Sequence, residues 1–389
     1  MRKDGRVKYW ILCLLCLLLG YEVNLGTRAY LMDLVCLCGG PFCFFFLKNY
    51  QPKVIAYFSV GVLAVILFAI FDFQNELDNF EIFRGTSRNL GYVFSIIFGF
   101  LITARLGIRR AVLLILIVTI SFSLLNLYNF EMLGYPIRHS FKYGGGYFVL
   151  NFVSVLISIP LLSSIIYILI MPILGIYYQY RGILLIGLVT GVLPIIGSFV
   201  GKRSGPFIIC LIGLSSLIAL YGAYHYLEYQ SLISGSAERD TASTDARFNM
   251  ILDSLGEFAR SPIMGNGSYS QSQRHFDALD SSYFTGVHSV FFQLLAEYGV
   301  LGGIFSIIYF LGPVIFLFMK RVDFILNRKL MGRYLSAYSF LLVYTGYCFF
   351  LNPFTGFWRN IFGLTVGSAI AILSYENPVH HKLLERRRG

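Results

Sequence analysis

The sequence predicts an all-α polytopic membrane protein of about twelve transmembrane helices with one large loop outside. Three observations carry this. Of 389 residues, 57% are hydrophobic and only 13% charged, where a soluble domain has roughly 25% charged. Charge-free apolar stretches recur along the chain, as at 54–71, 111–130 and 298–319, each near the roughly 20 residues that cross a bilayer core. The 31 Lys and Arg residues, which give a net charge of +11, cluster in short loops and at both ends. In a soluble chain that charge would suggest nucleic acid; here it marks topology, and no nucleic-acid partner is expected.

Cutting at charges and turn residues predicts helices near 9–25, 29–47, 54–71, 90–104 and 111–128, then 182–199, 206–226, 300–318, 334–351 and 358–375. The first follows Arg2, Lys3, Arg6 and Lys8 like a signal peptide, but no small-residue cleavage site follows, so it is expected to be retained. Residues 143–180 contain no charge and are too long for one helix, with Pro160 and Ser163/Ser164 as the hairpin candidate. Charge bias decides it. With two helices there, 20 of the 31 Lys and Arg fall inside and 11 outside; with one, about 15 and 16. Two helices put both termini in the cytoplasm and residues 228–287 outside as the large loop, with smaller outside loops at 72–89 and 129–146. No internal repeat or long linker appears, so 1–389 is expected to form a single integral domain. The seven cysteines all lie in apolar segments and read as small buried hydrophobes, including the Cys13/Cys16 pair.

On the outer face basic residues are a minority. Arg181 lies in QYRG between two long apolar helices, where a deep charge costs ~2.5 to 3.5 kcal/mol. It either snorkels to headgroups beside Tyr177, Tyr178 and Tyr180 or clamps an anion, since guanidinium forks bind phosphate bidentately. In the large loop, TDARFNMILDSLGEFAR (244–260) sets Phe248, Ile251, Leu252 and Leu255 on one stripe, a helix lying on something apolar. Thr244 or Asp245 would cap it, leaving Arg247 in the first turn, where a cation opposes the helix dipole. That mismatch suggests either a ligand or a salt bridge to an acidic neighbour. Arg260 closes the helix.

SPIMGNGSYS (261–270) must then bend sharply. GVHSVFFQLLAEYGVLGG (286–303) predicts a short helix over 287–297, a break at Gly299 and a span from 300. His288 at its start is either a capping or packing residue or the proton acceptor of this face. Glu297 is out of phase with it and is expected to stabilise the helix junction. No His and carboxylate cluster on this face has metal-ligand spacing, so no metal or other cofactor is expected. The acid standing clearly inside a span is Asp33, beside Arg28.

QYRG, R-F-N-M-I-L-D-S, S-P-I-M-G-N-G and V-H-S-V-F-F-Q-L-L-A-E-Y-G-V-L-G-G, in that order, resemble the bacterial O-antigen polymerase and ligase superfamily over about 177–318. Its pattern of a Ser-Arg-Gly turn, a loop Arg, a His-Asn pair and a helix ending Glu-x-Gly is met by Arg181, Arg247, His288 and Glu297. Tyr180 replaces the Ser and Ser289 the Asn.

The resemblance implies a fold like the membrane-embedded (GT-C-like) glycosyltransferases, a bacterial inner-membrane location, and an active site facing the periplasm. It also implies a glycan donor linked to undecaprenyl pyrophosphate and no metal or nucleotide. The expected activity is polymerase: transfer of the chain to the non-reducing end of another lipid-linked repeat unit, with inversion. Arg181 and Arg247 would bind the pyrophosphate, His288 act as base, and Glu297 and Arg260 support them. A ligase passing the chain to lipid A-core, or a polysaccharide transporter or flippase, are the alternatives. Expected partners are the lipid-linked oligosaccharide, membrane lipid, and a chain-length regulator and a flippase of the same pathway.

Overall fold

The computed structural model describes residues 52–106, 237–268, 289–319 and 357–375, with scattered single positions elsewhere. By its internal contacts the chain divides into two compact units, the first comprising Met1–Gly107, Ser243–Pro313 and Thr345–Ala371. Nearly all the described helices belong to this first unit. The helices expected at 9–25, 29–47, 111–128, 182–199, 206–226 and 334–351, the hairpin near Pro160 and the loop at 129–146 lie outside the continuously described residues.

The described elements are α1 (Pro52–Gln74), α2 (Asn79–Leu106), α3 (Ala237–Arg260), α4 (Val290–Ser306), a π-helical turn (Ile307–Leu311), α5 (Gly312–Met319) and α6 (Phe357–Tyr375). Among the described residues, three stretches are long and apolar enough to cross a membrane: Ile55–Gln74, Glu81–Leu106 and Val290–Phe316. They match the expected spans at 54–71, 90–104 and 300–318, and α6 stands where 358–375 is expected.

Of these, α2 is the most enclosed, buried almost continuously from Gly91 to Thr103. Small residues let α6 approach it: a Cβ on Gly99 would strike the carbonyl of Leu364, and one on Gly367 that of Ile96. Close approach through glycines is a common way for helices to pack in a bilayer. By contrast, α1 exposes Val60, Leu63, Ile66, Ile70 and Phe73 along one stripe, the face of a peripheral span.

The π-helical turn frees backbone carbonyls, and neighbouring tyrosines engage them. Tyr57 of α1 donates to the Ile308 carbonyl at 3.4 Å, and Tyr92 of α2 to that of Tyr309 at 3.1 Å. Tyr309 donates back to the Tyr57 carbonyl. In hydrocarbon an unsatisfied backbone group costs several kcal/mol, so these side chains make the irregular turn tenable.

One expectation is corrected. Residues 72–89 read as a loop, yet the chain turns only between Gln74 and Asn79, and 79–89 is helix. Leu77 N–H bonds the Asp72 carbonyl at 3.3 Å and Glu76 N–H that of Phe73 at 3.2 Å, the paired bonds of a Schellman cap. Glu76, at φ 55°, takes the left-handed position where glycine is usual. The misleading signal was charge: Glu81, Arg84 and Arg88 read as loop residues, but Arg88 points into the protein.

A second correction concerns α3. It begins at Ala237, seven residues before the expected cap, so Arg247 sits in its interior. Ala237, Glu238 and Arg239 are good helix formers and carry the helix past Thr244 and Asp245. The argument from a cation in the first turn therefore does not apply.

Candidate functional site

The site begins with a break in α4. Tyr298 (φ −130°, ψ 17°) and Gly299 (φ 60°, ψ −147°) leave helical geometry in mid-helix. Such a break orphans backbone groups, which must find partners when buried. The turn after α3 supplies them. Asn266 N–H bonds the Ala296 carbonyl at 3.0 Å, Gly267 N–H that of Glu297 at 2.9 Å, and Val300 N–H reaches the Pro262 carbonyl at 2.8 Å. Asn266 Nδ2 adds a bond to the Glu257 carbonyl at 2.9 Å, tying the turn to α3.

Glycine is required on both sides of this seam. Gly265 and Gly267 have φ of 72° and 84°. A Cβ on Gly265 would enter the Glu297 carbonyl, and one on Gly299 would lie 2.5 Å from the Pro262 oxygen. S-P-I-M-G-N-G and A-E-Y-G are thus the two halves of one interlock.

Beneath the seam lies a buried polar cluster shared by α1, α2, the turn and α4. Asp72 accepts from Ser268 N–H and from Ser268 Oγ, both at 2.7 Å. Ser268 Oγ also bonds the Tyr298 hydroxyl, which lies 3.5 Å from Asp72 Oδ2 and accepts from Asn89 Nδ2 at 3.3 Å. The Tyr298 ring stacks on Phe68 with centroids 3.9 Å apart. Beside it, Arg88 and Glu297 form a two-point ion pair, and Gln293 Nε2 donates to Glu297 Oε1 at 3.0 Å. Asn89 Oδ1 is buried and has no hydrogen-bond partner among the described residues.

Of the residues singled out from sequence, Glu297 is at the centre of this arrangement, its side chain bonded to Arg88 and Gln293 and its carbonyl to Gly267. Arg247 is placed on α3 by its backbone. Arg260, also on α3, is exposed and pairs with Glu257 at 2.8 Å, away from the cluster. Arg181 and His288 lie outside the described residues. Ser289, next after His288, is extended (φ −156°, ψ 122°) and caps α4, its Oγ accepting from Phe292 N–H at 3.4 Å.

Sequence reasoning missed Asp72, Arg88, Asn89, Ser268 and Tyr298. The available signal was Asp72 at the end of an apolar span and Arg88 followed by a long run of apolar or small residues before Thr103. Asp33 lies outside the described residues; among those described, Asp72 and Glu297 are buried acids on helices long and apolar enough to cross a membrane. The bonds that each makes across the cluster hold these helices in a rigid joint. Among the described residues, no three His, Cys, Asp or Glu side chains gather as metal ligands.

Long apolar helices, one broken and rebuilt by the turn after α3, point to a helical membrane protein. Residues 166–307 match the family model described as O-antigen ligase. This stretch includes Arg181, Arg247, Arg260, His288 and Glu297, and its similarity to that family model agrees with the resemblance carried by the sequence motifs. No curated protein matches the chain.

Proposed function

We propose that the protein is an O-antigen or related surface-polysaccharide polymerase of the bacterial inner membrane, one integral domain working at the periplasmic face. It takes a glycan chain from undecaprenyl pyrophosphate and passes it to the non-reducing end of another lipid-linked repeat unit. The observation that carries this reading is the family match over the segment holding Arg181, Arg247 and His288.

The acceptor hydroxyl oxygen attacks the anomeric carbon of the donor, its proton passes to His288, and the bond from that carbon to the pyrophosphate oxygen breaks. In-line attack inverts the carbon. The bonding electron pair leaves with that oxygen, so the lipid pyrophosphate, already anionic in the donor, gains one further negative charge, and Arg181 and Arg247 stabilise it by bidentate hydrogen bonds. No metal is needed in this scheme. Glu297, held by Arg88, supports the reaction from a distance by fixing the helix that starts directly after His288. Arg260 lies on the exposed side of α3 and is assigned no contact with the donor.

A ligase reading has its own support, because the matching family model carries that description. Donor and anion clamp would be the same; only the acceptor, lipid A-core, differs. Ser289 in place of the family's Asn favours the more variable polymerases. Deleting the gene and resolving the cell's lipopolysaccharide by gel separates the two. A polymerase defect leaves core capped with one repeat unit. Bare core with long chains stranded on the lipid carrier would make it a ligase, and an unchanged profile would redirect the assignment to capsule or exopolysaccharide. Transport without transfer would be revealed by purified protein that forms no glycosidic bond from lipid-linked glycan.

A further inference from the structure

The apolar stripe of α3 is not covered as its sequence suggests. Phe248, Leu252 and Leu255 are 61%, 49% and 40% exposed, whereas Met250, Ser254 and Glu257 face inward. At about 100° per residue, the described part of the helix divides into three sectors. Phe248, Leu252, Leu255 and Ala259 form an exposed apolar sector, bordered on one side by the half-buried Ile251 and Phe258. Asn249, Asp253 and Arg260 form an exposed polar sector, and Met250, Ser254 and Glu257 form the inward one. The polar sector lies about 110° round from the apolar one, and the inward sector about 90° beyond that, so the apolar and inward faces are nearly opposed.

A helix with three such faces fits three surroundings at once. Fully in water it would leave a continuous apolar stripe solvated; fully in hydrocarbon it would desolvate Asp253 and Arg260. The stripe also continues onto a span. Ile263 and Met264 are exposed in the turn after α3, and the adjoining Pro262 carbonyl holds Val300 N–H. From there the exposed residues Val300, Ile304 and Ile307 run down a helix long and apolar enough to cross a membrane.

We propose that α3 is an interfacial helix lying along the bilayer surface. Its apolar sector sits at the boundary of headgroups and acyl chains, its polar sector faces water, and its inward sector rests on the protein. The partner is bilayer lipid. This holds whichever reaction the protein catalyses.

Tryptophan quenching tests it in the full chain. Trp10 and Trp358, the two native tryptophans, are replaced by Phe, and Leu252→Trp or Asp253→Trp is introduced before reconstitution into nanodiscs holding one copy each. Expected is blue-shifted emission from position 252, quenched by lipid brominated near the headgroup end of the acyl chain and little by aqueous iodide. Position 253 should show the reverse. Iodide quenching of both positions, without bromolipid quenching of 252, would put the stripe in water and overturn the proposal. Protection of 252 from both quenchers would mean that protein covers it, with the same result. Phe248→Trp samples the same sector should the Leu252 variant fail to fold.

Discussion

Arg88 of α2 and Glu297 of α4 are 209 positions apart in sequence and form an ion pair with side chains only 6% and 1% exposed. Neither charge reaches water, so each depends on the other. Glu297 sits on the α4 turn that ends at the break, with its carbonyl held from the other side by Gly267. Backbone seam and side-chain joint therefore meet at one residue.

Removing one partner should cost far more than removing both. Arg88→Met strands a buried carboxylate and is expected to destabilise by about 3 to 5 kcal/mol, whereas a well-packed apolar double replacement can be near neutral. Thermal unfolding of detergent-solubilised Arg88→Met, Glu297→Leu and the double variant measures this. The double variant should be more stable than either single one; additive losses would show that the two charges are not coupled.

The glycine interlock predicts a sharp contrast. Gly299→Ala and Gly265→Ala combine a positive φ with a Cβ driven into backbone oxygen, and each should lose about 1 to 3 kcal/mol or more. Gly256, near the C-terminal end of α3 with nothing within 4 Å of an added Cβ, is the control. Gly256→Ala should gain about 0.5 to 1 kcal/mol from helix propensity. Melting temperatures of the three variants give the comparison, and equal effects would argue against the seam.

Asp72 and Tyr298 should respond according to what each substitution leaves unpaired. Asp72→Ala removes the acceptor for both Ser268 N–H and Ser268 Oγ, at about 1 to 3 kcal/mol for each buried group stranded. Asp72→Asn keeps one acceptor and offers a donor to the hydroxyl, so its loss should be much smaller. Tyr298→Phe keeps the stack on Phe68 and should cost about 1 kcal/mol. Unfolding midpoints ordered Tyr298→Phe above Asp72→Ala would agree with this account.

What was legible in the sequence was what depends on neighbours along the chain. Apolar length set α1, α4 with α5, and α6 to within a few residues, and the Gly299 break and the bend at 261–270 were readable from local chemistry. The polar joint was not, because Asp72, Arg88, Ser268 and Glu297 come from four separate segments and each alone resembles a charge or a turn residue near a span. Charge misled in the same way at 79–89, where a buried arginine looked like a solvated one. In α3 the periodicity set the apolar stripe but not what covers it, since a stripe that faces lipid reads the same as one that faces protein.

The proposed chemistry predicts that Arg181→Ala, Arg247→Ala and His288→Ala each abolish glycan transfer from lipid-linked donor by purified protein, with membrane levels near wild type. Arg→Lys at either arginine should restore little, because an ammonium is a point charge that cannot supply two parallel hydrogen bonds to a pyrophosphate. Glu297→Gln should behave differently: it keeps the shape but loses the charge that answers Arg88, so it should lower stability as well as rate. Arg260→Ala should leave transfer close to wild type, since that side chain is exposed and bonded to Glu257. A chelator should have no effect in the same assay. Loss of transfer with chelator and its return on adding divalent metal would refute an anion clamp made of arginines alone, and transfer retained by His288→Ala would return that residue to a packing role.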